Sequence, residues 1–403
     1  MTETRKKVPL IWKITVGFIL GVLAGALLGP KVAVVEPIGK IFITLLQMLI
    51  VPLVFSSLVV GVASLGDPKA LGRIGVKTVL LYMVTTALAI VIGLAMGHLI
   101  QPGAGMAIEG AIAAEGKSAP ALKDVVIGMF PSNPIQSLAQ GHMLQIIVFA
   151  LFFGIAAVLA GEKGKPVLAV MDAIAETMYK VTALVMAFAP YGVFALIAVT
   201  VSRYGLSVMA PFAKVIGAVY LGCLLHAVVV YSGLVSLMTR KTPVWFFRGI
   251  LEASLTAFVT RSSSATLPVT MRCSQDNLGV SEKITSFVLP LGATINMDGT
   301  ALYQGVCALF IAQAFGIDLS LGAQAGIIVT ATLASVGTAG VPGAGLIMLT
   351  LVVTQAGLPM EGVALLAGID AVLDMARTAL NITGDACVAT VVARTEGELN
   401  HGA

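Results

Sequence analysis

Residues 365–392 read LLAGIDAVLDMARTALNITGDACVATVV, a stretch that is long and apolar enough to cross a bilayer. Its four charged side chains and two polar neighbours interrupt it: Asp370, Asp374, Arg377, Thr378, Asn381 and Asp385. At about 100° per residue, all six fall within one arc of about 100° on a helix, and the rest of the circumference is mainly apolar. A charge at the centre of a spanning helix costs about 2.5–3.5 kcal/mol on the insertion scale. This face must therefore contact protein, water or a ligand.

Two interpretations of this face differ in what satisfies its charges. Ion pairing within the protein is the simpler one, and Arg377, one turn from Asp374, suits such a pair. That pair would leave Asp370 and Asp385 without a basic partner in the stretch. The second interpretation, which we favour, is a ligand and ion site built on a buried helix face.

The composition places the whole chain in a membrane. Of its 403 residues, 58% are hydrophobic and 11% are charged, and the mean hydropathy is +1.00. A soluble chain of this length could not cover its surface with so few polar groups. The long apolar stretches predict an all-α polytopic membrane protein in the cell membrane (inner or plasma), whereas a β-barrel would show short alternating segments.

The charged and sulfur-containing residues exclude several other classes. The net charge of +4 comes from basic residues in short loops, so it indicates membrane orientation and no nucleic-acid partner. The four cysteines lie far apart in apolar surroundings without metal-ligand spacing, and we expect buried thiols: Cys223, Cys273, Cys307 and Cys387.

Eight spanning segments are predicted, with both termini in the cytoplasm. The first six cover about 8–28, 37–64, 78–100, a broken segment introduced by residues 132–145, then 167–201 and 211–238; the last two begin near 291 and 365. The basic residues of the N-terminus, 69–77, 163–165, 240–248 and Arg394 then share one side of the membrane. Residues 101–124 are predicted to form an external loop. Ala189-Pro190-Tyr191-Gly192 is expected to interrupt the fifth segment.

Two clusters of small residues cut short apolar segments in the final third of the chain. They are TRSSSATLP (260–268) and SVGTAGVPGAG (335–345), and each precedes a spanning segment with a polar interior. Non-helical backbone at membrane depth is tolerated only where it is buried or lines a cavity. Matching interruptions in two halves predict an inverted repeat with a site at its interface, so we expect two re-entrant hairpins. Extramembrane loops between ordinary spans are the alternative.

NMDGT (296–300) suits a coupling-ion site. Asn296, Asp298 and Thr300 alternate, which predicts an unwound stretch, and we expect Gly292 and Gly299 to permit the unwinding. Carboxylate, amide, hydroxyl and freed carbonyl oxygens are hard ligands, which favour Na⁺ over zinc or copper.

The same segments predict the substrate class. Backbone N–H groups at a serine-rich hairpin tip can bind one carboxylate, Arg377 can bind a second, and Asp374 can bind an ammonium group. An α-amino dicarboxylate satisfies all three. The serines have no histidine base nearby in sequence, and no phosphate-binding glycine loop occurs, so an enzyme or an ATP-driven pump is disfavoured.

Four segments resemble the signature segments of one family: TRSSSATLPVT (260–270), LGATINMDGTALYQG (291–305), SVGTAGVPGAG (335–345) and GIDAVLDMARTALNITGD (368–385). Over essentially its whole length, the chain is similar to the sodium-coupled dicarboxylate/amino-acid symporters, the glutamate or excitatory amino acid transporter family. Within that family it most resembles the prokaryotic sodium–aspartate symporters.

The resemblance implies eight transmembrane helices, two re-entrant hairpins and a homotrimer in membrane lipid. By similarity, residues 1–72 (spans 1 and 2) and 106–205 (spans 4 and 5) form a rigid scaffold. Residues 73–105 (span 3) and 206–403 (span 6, both hairpins, spans 7 and 8) would form a transport domain that moves as an elevator. The second hairpin, with its glycines and Pro342, would be the extracellular gate.

The resemblance also implies site residues. Substrate binding is assigned to Ser262, Ser263, Ser264, Thr300, Val341, Gly345, Asp374, Arg377, Thr378 and Asn381. One sodium site is assigned to Gly292, Asn296, Asn381 and Asp385, and a second to Thr294, Met297, Ser335, Val336 and Thr338. A third is assigned to Tyr82, Thr85, Thr86, Asn296 and Asp298, although polar residues like the first three are by themselves typical of helix–helix contacts.

Departures from the family pattern narrow the substrate. Animal relatives have a glutamate that looks like their proton carrier where this chain has Gln304, which argues against proton cotransport through that position. Neutral amino-acid relatives lack the arginine at Arg377, and C4-dicarboxylate relatives lack the aspartate at Asp374. Sodium-coupled transport of L-aspartate is therefore expected, with L-glutamate left open as a second substrate. A C4-dicarboxylate symporter and a chiefly channel-like anion conductance are the alternatives.

Overall fold

The computed structural model describes residues 10–63, 68–106, 127–128, 130–206, 209–335, 340 and 342–399. Within these ranges the chain is helical and forms no strand; a single antiparallel bridge joins Val280 to Leu399. The prediction of an all-α protein is confirmed. The four cysteines are free and buried, as expected.

The first half of the described chain consists of long apolar helices. They are α1 (Leu10–Leu28), α2 (Glu36–Ala63), α3 (Pro68–Ile100), α4 (Pro134–Gln140), α5 (Met143–Leu159), α6 (Lys165–Tyr204) and α7 (Met209–His226). Helix α7 continues through two π-helical turns, Ala227–Tyr231 and Val235–Thr239. The predicted break in the fourth segment lies between α4 and α5, where Gly141 adopts a left-handed conformation.

The second half contains shorter helices separated by breaks. They are α8 (Pro243–Thr260), α9 (Ser263–Arg272), α10 (Glu282–Ile295), α11 (Asp298–Ala314), α12 (Leu321–Ser335), α13 (Ala344–Gln355), α14 (Glu361–Ala367) and α15 (Asp370–Glu396). The pairs α8–α9 and α12–α13 each pack together as a helical hairpin.

The predicted interruption near Pro190 is wrong in form. Helix α6 is continuous through Pro190, and it bends by 46° between Val185 and Ala187. Proline has no N–H to donate to the carbonyl four residues earlier, so the helix bends one turn before the proline. Pro190 therefore accounts for a bend within one long helix.

Length and apolar composition identify three stretches of the described chain that could cross a membrane. They are Trp12–Val60, Arg73–Ile100 and Met209–Thr239, and the bent pair within α6 makes a fourth if it counts as one span. The last two predicted spans are split by the α10–α11 and α14–α15 breaks, and α15 carries several charges. The number of eight spans stays a prediction.

The helices pack in two groups. Helix α6 packs along both α1 and α2, while α3 packs along α11 and against α7. Glycines allow close approach in each group: a Cβ on Gly21 would lie 2.7 Å from the carbonyl oxygen of Phe194, and one on Gly93 would lie 2.2 Å from that of Leu302. Small residues that let backbones approach closely are typical of helix contacts in membranes.

Candidate functional site

The first hairpin reverses its direction within two residues. Helix α8 ends at Thr260, and Arg261 adopts a left-handed conformation with φ 55°. Ser262 then caps α9, because its hydroxyl accepts a hydrogen bond from the N–H of Ala265 at 3.1 Å. The sequence prediction of a helix break inside TRSSSATLP is confirmed.

The two hairpin tips contact each other. The hydroxyl of Ser262 donates to the carbonyl of Gly340 at 2.7 Å, and the N–H of Ser264 donates to the same carbonyl at 3.2 Å. A Cβ on Gly340 would lie 2.7 Å from Oγ of Ser264 and 2.9 Å from the carbonyl oxygen of Ala293. Only a glycine therefore fits at this contact between the tips.

Helix α15 passes directly behind the second tip. Gly343, with φ 85°, precedes α13, and its N–H donates to Oδ2 of Asp374 at 3.3 Å. Beside it, Gly345 packs against Arg377: a Cβ on Gly345 would lie 2.7–2.8 Å from the guanidinium atoms. The gate predicted from sequence thus contacts both charged residues predicted to bind substrate.

Arg377 is fully buried and forms two ion pairs on its own helix. Its Nη1 donates to Oδ1 of Asp370 at 2.8 Å, and its Nη2 donates to Oδ1 of Asp374 at 2.8 Å. The guanidinium carbon also lies 4.1 Å from the ring centroid of Tyr303, as in a cation–π contact. The expectation that Asp370 would lack a basic partner is therefore wrong, since Arg377 pairs with both aspartates.

The predicted unwinding in NMDGT is confirmed only in part. The helix is interrupted at Asn296 and Met297, and α11 already begins at Asp298. Gly292 and Gly299 lie within helices and do not unwind them. They allow close approach instead, because a Cβ on Gly299 would lie 2.3 Å from the carbonyl oxygen of Arg377.

The break between α10 and α11 is joined to α15 by side-chain amides. The amide of Asn296 donates to Oδ1 of Asp385 at 2.9 Å, while its own Oδ1 is buried without a hydrogen-bond partner among the described residues. Asn381 accepts a hydrogen bond from the N–H of Gly299 at 2.7 Å. Its Nδ2 lies 3.1 Å from the sulfur of Met297. These oxygens are hard ligands of the type that suits Na⁺.

A second buried carboxylate, that of Asp298, lies against α3. Asp298 is fully buried, and its Oδ1 accepts hydrogen bonds from Thr86 at 2.7 Å and Thr85 at 3.3 Å. Tyr82 is also buried, but its hydroxyl donates to the carbonyl of Val288 at 3.0 Å. The structure thus brings two of the three α3 residues into contact with Asp298.

Most of the predicted substrate residues line one cavity between the hairpin tips. Its walls include Arg261, Ser263, Met297, Thr300, Gly340, Ala344, Gly345, Asp374, Thr378 and Asn381. Ser262 and Ser264 lie at the contact between the tips, and Arg377 lies behind Gly345. Arg261 lines the same cavity, although it is not among the predicted site residues.

The second predicted sodium site stays a prediction, because two of its residues lie outside the described part of the chain. Val336 and Thr338 lie outside the described residues, as does Val341 of the predicted substrate site. The hydroxyls of Thr294 and Ser335 each donate to a carbonyl of their own helix, at 2.9 Å and 2.7 Å.

Three further residues of the site were not identified from sequence. Tyr303 stacks on Arg377, and Tyr231 and His226 of α7 lie beside Asp298. Each is a polar side chain within a predicted spanning segment, which is the signal that could have identified it.

Comparison with known proteins gives one consistent result. The family model described as "Sodium:dicarboxylate symporter family" matches residues 10–395. A protein of Geobacillus stearothermophilus called "Proton/sodium-glutamate symport protein" is 40% identical over 98% of this chain and 96% of its own length. The "Proton/glutamate-aspartate symporter" of Escherichia coli (strain K12) is 39% identical over 97% of this chain and 93% of its own. The "C4-dicarboxylate transport protein" of Laribacter hongkongensis is 35% identical over 97% and 90%.

Proposed function

The chain belongs to the sodium:dicarboxylate symporter family, and we propose that it is a secondary symporter that couples inward sodium movement to the import of L-aspartate, with L-glutamate left open as a second substrate. One observation carries the proposal. Asp374 and Arg377, both buried, lie side by side where the two hairpin tips meet.

An α-amino dicarboxylate matches the charges at this place. Asp374 lines the cavity and can pair with an ammonium group, which would replace the long 3.3 Å bond from Gly343 at its Oδ2. Arg377 is the buried cation that suits a carboxylate, and its Nε has no hydrogen-bond partner among the described residues. The backbone of the Ser262–Ser264 tip supplies N–H groups for the other carboxylate.

Access to Arg377 requires movement of the second hairpin. Gly345 covers the guanidinium, and the contact of Gly340 with the first tip holds the hairpin in place. We propose that displacement of this hairpin exposes Arg377 to the substrate, so that the hairpin acts as the extracellular gate.

We propose sodium as the coupling ion on the basis of the donor atoms around α15 and α11. Asn296 contributes a buried oxygen that has no partner among the described residues and lies beside Asp385. Oδ1 of Asp298 lies against two hydroxyl groups of α3. Relatives are called both proton and sodium symporters. Uptake driven by a sodium gradient or by a proton gradient distinguishes the two ions.

The packing supports the proposed division into a scaffold and a moving domain. Helix α6 packs on α1 and α2, which fits a scaffold of residues 1–72 and 106–205. Helices α3, α7, α11 and α15 pack on one another, which fits a transport domain of residues 73–105 and 206–403. We propose that this domain moves as an elevator within a homotrimer in the cell membrane, with both termini cytoplasmic.

Uptake by proteoliposomes tests the function. Purified protein is reconstituted, and uptake of labelled L-aspartate is measured with an inward sodium gradient, with an inward proton gradient and with neither. We expect accumulation only with sodium. Equal uptake without a sodium gradient would refute sodium coupling, and accumulation driven by protons alone would replace sodium by protons.

A C4-dicarboxylate is the second candidate substrate, because a relative that is 35% identical carries that name. Succinate lacks an ammonium group, so Oδ2 of the buried Asp374 would gain no cation from the ligand and the carboxylate would keep only its pair with Arg377. We therefore expect unlabelled L-aspartate to compete for uptake far better than succinate at the same sodium concentration. Equal competition would favour the C4-dicarboxylate function.

A further inference from the structure

The carboxylate of Asp298 accepts hydrogen bonds from two helices. The hydroxyls of α3 donate to Oδ1, at 2.7 Å from Thr86 and 3.3 Å from Thr85. The hydroxyl of Tyr231, on α7, donates to Oδ2 at 2.7 Å. The two oxygens therefore have separate partners on separate helices.

This arrangement fixes the orientation of the carboxylate. A carboxylate can rotate about its terminal bond with little preference for one angle. A charge-assisted hydrogen bond to Oδ2 removes that freedom and keeps Oδ1 directed at the hydroxyls of α3. The proposed sodium site at Asp298 depends on this orientation, because most of its remaining predicted ligands come from α3.

Helix α15 leaves space for this tyrosine. A Cβ on Gly384 would lie 2.4 Å from the hydroxyl oxygen of Tyr231 and 2.8 Å from Nδ2 of Asn296. The carbonyl oxygen of Leu380 lies 3.3 Å from the same hydroxyl. The tyrosine hydroxyl is thus fitted between α11 and α15, at the point where two of the proposed sodium groups adjoin.

His226 supports the tyrosine ring. The two rings make an edge contact, with centroids 4.8 Å apart and an interplanar angle of 89°. Nε2 of His226 lies 3.4 Å from Oδ2 of Asp298 without forming a hydrogen bond, and the residue is fully buried. The imidazole therefore packs against the ring of Tyr231 and restricts its movement.

We propose that Tyr231 is a positioning residue for sodium binding: its hydroxyl orients Asp298 toward Thr85 and Thr86, and His226 holds its ring in place. This inference rests on the proposed sodium coupling. Helix α7 then helps to set the sodium affinity through Tyr231, although it supplies no sodium ligand of its own.

The substitution Tyr231→Phe removes the hydroxyl and keeps the ring. Tyr220→Phe is the matched control, because Tyr220 also lies on α7 and its hydroxyl donates to a carbonyl of α15, that of Val372, at 2.9 Å. Sodium dependence is measured in two ways: as aspartate uptake at increasing sodium, and as the sodium-dependent rise in melting temperature of the purified protein without substrate.

We expect Tyr231→Phe to raise the half-saturating sodium concentration about tenfold, which corresponds to about 1.4 kcal/mol. Aspartate uptake at saturating sodium should stay close to wild type, and Tyr220→Phe should match wild type in both measurements. His226→Asn keeps the tyrosine hydroxyl but replaces the imidazole that contacts its ring by a smaller side chain. It should therefore raise the half-saturating sodium concentration by a smaller factor.

The outcomes separate this proposal from the proposed function. A wild-type protein without any sodium dependence would refute sodium coupling itself. A sodium-dependent wild type with an unchanged Tyr231→Phe variant would overturn only the role of Tyr231. Equal shifts in Tyr231→Phe and Tyr220→Phe would also overturn it, since a general loosening of α7 against α15 would then explain both.

Discussion

Replacement of Arg377 by alanine tests the centre of the proposed site. The guanidinium is fully buried and forms two hydrogen bonds of 2.8 Å, to Asp370 and to Asp374. It also stacks against Tyr303. The alanine variant removes all these contacts and leaves two buried carboxylates without a cation.

The expected magnitude follows from the burial of the pair. Truncation of one partner of a buried, hydrogen-bonded charge pair in a binding site costs about 2–5 kcal/mol of binding free energy. If Arg377 binds a substrate carboxylate, that cost corresponds to a loss of aspartate affinity between about 30-fold and about 4,000-fold. The proposed sodium groups at Asp385 and Asp298 do not contact Arg377 by hydrogen bonds, so sodium binding should change far less.

The assay compares binding of L-aspartate at fixed sodium with the sodium-dependent rise in melting temperature without substrate. The single variant also leaves two buried carboxylates without a cation, which can destabilise the fold. The double variant Arg377→Ala/Asp370→Asn is therefore the control. It removes one of the two carboxylates and should recover stability without recovering aspartate binding. Arg377 has only a structural role if its replacement weakens sodium binding and aspartate binding equally. The same conclusion follows if the double variant recovers both stability and aspartate binding.

Two further substitutions test other parts of the structure. Gly345→Ala should weaken aspartate binding at unchanged sodium, since the added methyl group would lie 2.7–2.8 Å from guanidinium atoms of Arg377, and binding by the purified protein measures the loss. Glu396→Gln should lower the melting temperature at neutral pH, because Arg73 and Lys77 bond this carboxylate and lower its pKa to about 2. A carboxylate with a lowered pKa stabilises the folded state above its unfolded pKa of about 4.5 and loses this effect as the pH falls toward 2. The difference between wild type and Glu396→Gln should therefore stay constant above about pH 4.5 and shrink below it; a constant difference down to pH 2 would refute this assignment.

The breaks in the helices could be predicted from local residue types. In the first hairpin, three consecutive serines provide a cap for the following helix, and Ser262 is that cap in the structure. In the second hairpin, glycine precedes α13, where Gly343 has a positive φ. Such signals depend only on residues that are neighbours in sequence. They therefore predict where a helix breaks but not how the helices pack.

The polar face of α15 could also be predicted, but its pairing could not. Helical periodicity places Asp370 and Arg377 within about 20° of each other across two turns. Helical side chains point toward the N-terminus, so a long arginine can reach both Asp374 and Asp370. The sequence alone does not decide between this double pairing and an arginine directed at a ligand, because Gly345 and Tyr303, which enclose the guanidinium, come from other helices.

Contacts from α7 were beyond sequence reasoning. Tyr231 and Asp298 are 67 positions apart, and the hydroxyl reaches the carboxylate only because α7 packs on α11. The unwinding of NMDGT was overestimated for a related reason. Gly299 looks like a residue that breaks a helix, whereas in the structure it makes space for the backbone of Arg377.

The buried charges give a physical reason for coupling. Among the described residues, the buried aspartates and arginines are Asp298, Asp370, Asp374, Arg377 and Asp385. With every carboxylate ionised, four negative charges and one positive charge leave a net charge of −3 in a region without much water. An acidic amino acid adds one further negative charge, so its binding alone would be opposed by the field of the site. In the proposed mechanism, cations at Asp385 and Asp298 would reduce that field before or as the substrate binds, and the same coupling free energy would raise sodium affinity when the substrate is present. Such coupling needs no direct contact between sodium and substrate. Asn381, which bonds to Gly299 and Met297, lies between the two proposed groups of residues.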